Sequence, residues 1–132
     1  MSILFILFEM IFCHIVDDYY LQGWLASAKQ KQWWKDNAPD KLYRFDYIWA
    51  LLMHSFSWSF MIMLPIAIFQ NFEVNWIFGV ILVVNAALHA FVDNLKANVR
   101  VINLWTDQAC HMIQIAYTFW VFVGGYFNVA AA

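Results

Sequence analysis

The chain has 132 residues, 64% of them hydrophobic and only 12% charged. A soluble domain is nearer half apolar and a quarter charged, so a water-soluble fold of this size is excluded by the apolar surface it would leave in water. The net charge of -2 provides no basic footprint for nucleic acid. Aromatic residues reach 20% and include eight tryptophans, as expected where helix ends meet a bilayer interface. The expected class is an all-α integral membrane protein. One domain over residues 1–132 would hold four transmembrane helices, with an interfacial segment between the first and second.

The first helix is expected over residues 3–20. His14 and Asp18 are one turn apart, with Asp17 beside them, and residues four apart share a helix face. Glu9 lies about 140° around the helix from His14, at about 100° per residue, and should miss that face. It reads as a neutral acid at a helix or oligomer contact. Ala26-Ser27-Ala28 mimics a signal-peptidase site. Cleavage there would discard His14, Asp17 and Asp18, so the segment is read as retained. Cys13 and Cys110 read as reduced thiols, since two cysteines alone do not establish a disulfide.

Between residues 23 and 46, Lys29, Lys31, Lys35, Lys41 and Arg44 are interleaved with Trp33, Trp34, Tyr43 and Phe45. This mixture suits an amphipathic segment lying on headgroups; a solvated basic loop is the alternative. Asn37-Ala38-Pro39-Asp40 should form a turn. The second helix is expected over 47–69, with His54 seven residues in, Ser57 near it, and Pro65 kinking the helix or ending its hydrogen bonding. After a polar loop, the third helix, 76–93, carries Asn85, His89 and Asp93 at four-residue intervals. A short loop holds Lys96 and Arg100, and Asn103 could cap the fourth helix. That helix, 104–127, carries Asp107, His111 and Gln114.

All seven Lys and Arg fall in the first and third loops. The positive-inside rule puts those loops in the cytoplasm and both termini outside, in a bacterial inner membrane. His14, Asp18, His54, His89, Asp93, Asp107 and His111 then share one depth, in the cytoplasmic half of the bilayer. An ionised Asp at the membrane centre costs about 2.5–3.5 kcal/mol on insertion scales, which a divalent cation would offset. Imidazole nitrogen with carboxylate oxygen suits a transition metal, zinc first, with manganese and iron as alternatives. These seven residues are the candidate ligands and exceed one tetrahedral shell. Either two metals sit close together, or some carboxylates orient the imidazoles.

At these residues the chain resembles a family of uncharacterised small bacterial and phage membrane proteins, known as a domain of unknown function. The motifs are His14-Ile15-Val16-Asp17-Asp18-Tyr19-Tyr20-Leu21-Gln22, the lone His54, His89 to Asp93 followed by Lys96, and Asp107-Gln108-Ala109-Cys110-His111. The chain is similar, more distantly, to proteins labelled membrane-bound metal-dependent hydrolases. The resemblance implies that Gln22, Lys96 and Gln108 belong to the site.

The leading expectation is a metal-dependent hydrolase at the cytoplasmic face. The metal would bring a bound water to a pKa of roughly 7, Asp18 or Asp107 would act as general base, and Lys96, with Arg100 beside it, would hold an anionic group. The expected substrate is a lipid, a phosphorylated lipid or a phosphorylated small molecule. The expected partners are the lipid bilayer and, as a homo-oligomer, further copies of the chain. The alternatives are metal-ion or proton transport and a scaffold stapled by its metal. A transport path needs polar groups across the whole bilayer, and the outer half offers mainly Glu9, Asn85 and Gln114.

Overall fold

The computed structural model describes residues 3–130, with side chains through Gly124. Among the described residues there are six α-helices and no strand. They are α1 (Ile3–Val16), α2 (Leu25–Ala28), α3 (Lys31–Asn37), α4 (Asp46–Phe69), α5 (Trp76–Asn94) and α6 (Leu104–Ala130). The four long helices coincide with the four apolar runs, and the two short ones occupy the basic-aromatic segment. Met1, Ser2, Ala131 and Ala132 lie outside the described residues, and the expected side of the termini falls on them.

The polar ends of α1 and α5 are built in the same way. Asp17–Leu21 prolongs α1 as a π-helical turn, closed by a bond from the Gln22 N–H to the Asp17 carbonyl at 3.1 Å. The longer hydrogen-bond ring of a π turn advances each residue less around the axis than an α-helix does. Adjacent Asp17 and Asp18 are both buried in this turn. Gly23, at φ +49°, then turns the chain. Leu95–Val99 is a matching π-helical turn after α5. It is closed by Arg100 at φ +62° and by a bond from the Val101 N–H to the Leu95 carbonyl at 3.1 Å, a left-handed helix cap.

α4 is the central helix, in contact with α1, α5 and α6. Pro65 does not end the helix: α4 runs from Asp46 to Phe69. Pro65 lies in its last turns, so its missing N–H leaves only the Met61 carbonyl without its helical donor. The apolar core joins Ile6 and Met10 of α1, Trp58, Ile62, Met63 and Ile66 of α4, and Ile115, Phe119 and Val123 of α6. Phe5, Phe8 and Phe12 of α1, Trp49, Phe56 and Phe60 of α4, and Val83, Leu88 and Phe91 of α5 face outward and are exposed. The bundle is thus polar at one end of its interior and apolar over its outside.

Two of the described helices are long and apolar enough to cross a membrane: the stretches Lys41–Phe69, containing α4, and Trp76–Val99, containing α5. The four expected spans are not all matched on this measure. α1 has 14 residues, short of the roughly 20 a span needs. α6 dilutes its apolar residues with Thr106, Asp107, Gln108, His111 and Gln114.

The basic-aromatic segment is folded rather than loose. Trp33 and Trp34 meet edge to face at 5.0 Å, and Trp24 meets each of them at 5.9 Å. The Trp34 indole donates to the Ala28 carbonyl at 2.6 Å. The first and third connections are tied together, because Asn98 accepts from the Lys31 N–H at 2.7 Å and donates to the Lys29 carbonyl at 3.1 Å. Both basic connections therefore cover one end of the bundle.

Asn103 accepts from the Thr106 N–H at 3.0 Å, as the sequence predicts. Asn75 caps α5 by accepting from the N–H groups of Ile77 and Phe78 at 3.0 and 3.3 Å. Losing a cap of this kind costs about 1 kcal/mol. Asn75→Ala is expected to lower stability by that amount in a chemical unfolding titration in mild detergent, with the polar end of the bundle unaffected.

Candidate metal centre

Eight acidic and imidazole groups converge at the covered end of the bundle. His14, Asp17 and Asp18 come from α1 and its π turn, and His54 comes from α4. His89 and Asp93 come from α5, and Asp107 and His111 from α6. All eight are buried. Spacing accounts for the pairing on each helix: His89 with Asp93 and Asp107 with His111 are four apart and face the same way. α4 inserts His54 between these pairs.

Asp93 is the hub. Its Oδ2 lies 3.5 Å from His54 Nε2 and 3.8 Å from His89 Nε2. His54 Nε2 is in turn 3.1 Å from His89 Nε2 and 3.3 Å from Asp18 Oδ1. A metal with bonds of about 2.0–2.1 Å to nitrogen and oxygen separates its tetrahedral ligands by about 3.3–3.4 Å. Asp18, His54 and His89, from the π turn, α4 and α5, bring one carboxylate oxygen and two imidazole nitrogens to such separations, with Asp93 Oδ2 beside the two imidazoles. Asp18, His54 and His89 form one buried group able to hold a metal ion, and His89, Asp93 and His111 form another.

Asp17, which spacing alone left ambiguous, stands behind His54. Its Oδ1 accepts from the Ser57 hydroxyl at 2.6 Å. Its Oδ2 lies 3.8 Å from His54 Nδ1, and neither of these two atoms has another hydrogen-bond partner. A carboxylate behind the distal nitrogen of a metal-binding histidine fixes its orientation.

His14 departs from the expectation that it is a ligand. Its Nδ1 accepts from the Trp58 indole at 2.7 Å. An indole only donates, so the proton of neutral His14 sits on Nε2, which donates to Gln108 Oε1 at 3.0 Å. Both nitrogens are engaged. The expected His14–Asp18 pair is instead bridged by Gln108, whose amide donates to Asp18 Oδ2 at 3.0 Å and to Asp107 Oδ2 at 3.1 Å. Gln22 reaches back to the Asp18 carbonyl. Gln108 thus touches two of the acids, and Gln22 the backbone of one.

Lys96 ion-pairs with Asp107, its side chain 30% exposed at the rim. As it stands its ammonium is committed to that carboxylate rather than free for an anion. Arg100 is exposed and lies outside the cluster. Glu9 stays off the buried face of α1, as its angle predicts, and is half-buried. Cys13 and Cys110 are free and half-buried.

Two residues were missed by the sequence reading. Lys29 was expected on a headgroup surface. It is buried, and its Nζ pairs with Asp93 Oδ2 at 2.5 Å. The short helix α2 folds back against α4 and delivers it; no periodicity in the sequence carries that signal. Trp58 is fully buried and stacks on His89 with ring centroids 4.2 Å apart, while His89 stacks on His111 at 4.2 Å. The spacing from His54 to Trp58, one helical turn, was the available signal.

Deeper in the bundle the polar chain is short. Gln114 joins His111 to Asn85, and Asn85 donates to Thr118 at 2.8 Å. Beyond them lie the packed side chains of Ile62, Ile66, Phe119 and Val123. Beside the site, an open cavity of about 570 Å³ is lined by Ile11, Ile15, Tyr19, Tyr20, Trp105 and Met112, with His14 and Gln108 as its polar wall.

Asp93 is paired with Lys29 and Asp107 with Lys96. Removing one partner of a buried ion pair costs about 3–5 kcal/mol. Lys29→Met is expected to destabilise the metal-free protein by that order in detergent unfolding, and Lys29→Met/Asp93→Asn to recover most of the loss. No family model, curated protein or solved structure matches this chain.

Proposed function

We propose that this protein is a membrane-embedded, metal-dependent hydrolase whose His/Asp centre opens at the cytoplasmic side of a bacterial inner membrane. The observation that carries the reading is the pair of buried imidazole nitrogens of His54 and His89, 3.1 Å apart, with Asp18 Oδ1 at 3.3 Å and Asp93 Oδ2 at 3.5 Å from His54 Nε2. On this reading all four long helices lie in the bilayer, α1 and α6 included. The exposed phenylalanine and valine faces are what lipid would cover, since a soluble monomer rarely exposes apolar patches larger than a few hundred Å². The two basic connections lie over the metal end, which agrees with the charge rule for the cytoplasmic face. The resemblance to small bacterial and phage membrane proteins belongs to the same proposal.

A divalent transition metal, zinc first, would generate hydroxide near neutral pH. Its ligands would be His54, His89, Asp18 and Asp93. Asp107, held by Lys96 and Gln108, is the carboxylate available to take a proton. His14 and Gln108 position Asp18, and Asp17 positions His54. The cavity walled by Tyr19, Tyr20, Trp105 and Met112 fits an acyl or isoprenoid chain, with its polar head toward Gln108. A lipid or phosphorylated lipid is therefore the proposed substrate. Transport is the weaker reading, because the polar chain stops at Asn85 and Thr118 against the apolar core.

Purified without a His-tag, the protein is expected to carry transition metal by mass spectrometry. His89→Ala/Asp93→Ala should lose that metal and the hydrolysis of phosphorylated or ester-linked lipids in vesicles. A folded, metal-free variant that keeps full activity would sink the mechanism. Asp17→Asn is expected to keep the fold and weaken metal affinity about 10–100-fold, the usual cost of removing a carboxylate behind a ligating histidine. Competition with a fluorescent zinc chelator measures it.

A further inference from the structure

The ligand set above leaves one corner of the cluster without a metal, and there Asp107 can serve as a ligand instead of as the base of a single-ion site. His111 Nε2 lies 3.4 Å from Asp107 Oδ1 and 3.7 Å from Asp93 Oδ1. All three atoms are buried, and none has a hydrogen-bond partner. The rest of each side chain is committed. Asp107 Oδ2 is held by Lys96 and Gln108. Asp93 Oδ2 faces Lys29, His54 and His89. His111 Nδ1 lies 3.4 Å from Gln114 Oε1.

That contact decides what His111 presents. The Gln114 amide nitrogen donates to the Asn85 carbonyl at 3.2 Å, which turns Oε1 toward His111. An amide oxygen only accepts, so His111 Nδ1 is the protonated nitrogen. Neutral His111 then aims the lone pair of Nε2 at two carboxylate oxygens. In that neutral form three acceptors face one another across 3.4–3.7 Å, with a donor only if His111 takes a second proton. Buried acceptors are rarely left in that state, and their separations match ligands around one transition-metal ion.

We propose that His111, Asp107 and Asp93 form a second cation site, and that Asp93 bridges two metal ions, Oδ2 toward the first and Oδ1 toward the second. The inference rests on the hydrolase reading for the first site. The second site's own ground is the three unpartnered atoms around His111. Paired ions in enzymes that cleave phosphate esters sit about 3.5–4 Å apart, a spacing that a carboxylate bridge allows. The charges also close. Lys96, at the rim and 30% exposed, is the counter-charge able to leave when an ion reaches Asp107. Four carboxylates and one hydroxide then balance two divalent ions and Lys29. Such a pair suits a phosphate ester better than a carboxylate ester, because two ions can hold the attacking and the leaving oxygen together.

The test uses the full chain in mild detergent without a His-tag, loaded with manganese or zinc and desalted. Two equivalents per chain are expected. Asp107→Asn and His111→Gln should each drop the count to one, and Asp18→Asn should also leave one. The manganese-loaded native protein should show an exchange-coupled electron paramagnetic resonance signal. That signal should disappear in Asp93→Asn and in each single-site variant. Circular dichroism and gel filtration check that the variants fold, and the signal of the native protein decides the matter if one does not. One equivalent in the native protein, unchanged in His111→Gln and without coupling, would overturn the second site and leave the first intact. A proton on His111 would then be what fills the space. No metal at all would overturn both.

Discussion

A carboxylate cannot remain ionised inside a protein unless charge or hydrogen bonds compensate it, and Asp93 concentrates that constraint. Lys29, His54, His89 and His111 all approach it, each from a different segment of the chain. α2 has to fold back to deliver Lys29. α4 has to pass through the middle of the bundle to deliver His54. α6 has to present His111 at the same depth. The path of the chain around this end is the path that brings these groups to one carboxylate.

The π-helical turns serve the same purpose. Asp17 and Asp18 are adjacent, and both are buried. The turn at Asp17–Leu21 holds both, one toward the ion position and one toward the back of His54. The cost is a weaker helix end, and π turns occur often where function requires an unusual presentation of side chains. The amides supply the remaining order. Gln108 settles the proton on His14 and holds two acids, while Gln114 and Asn85 settle the proton on His111. Trp58, stacked on His89, donates to His14 and keeps the rings from turning.

Polar inside and apolar outside is the inverse of a soluble fold. On the membrane reading this arrangement is stable because lipid tails are as good a neighbour for Phe8 or Val83 as another helix would be. Helix association then depends on packing and on polar contacts between helices rather than on the hydrophobic effect. The Ser59 bond to the Leu82 carbonyl at 2.7 Å and the Asn85–Thr118 bond at 2.8 Å are such contacts. The polar cluster, the candidate metal centre, is thus also a large part of what fixes the helices against one another.

Four apolar runs, the Asn103 cap and the His–Asp pairs at four-residue spacing were legible in the chain itself. These depend on local geometry: a helix repeats every 3.6 residues, so His89 and Asp93 share a face whatever surrounds them. That all the histidines gather at one end was also legible, because loop charge and histidine position agree. The tertiary structure decided the rest. Lys29 belongs to the site because a short helix turns inward, which no repeat encodes. His14 is a positioning group because Trp58 and Gln108, 44 and 94 residues away, occupy its two nitrogens. α4 continues past Pro65 because only one carbonyl near its end loses a donor. Sequence spacing determines which groups leave a helix on the same side; only packing between helices decides which atoms they meet there, and so which of them are left free to bind.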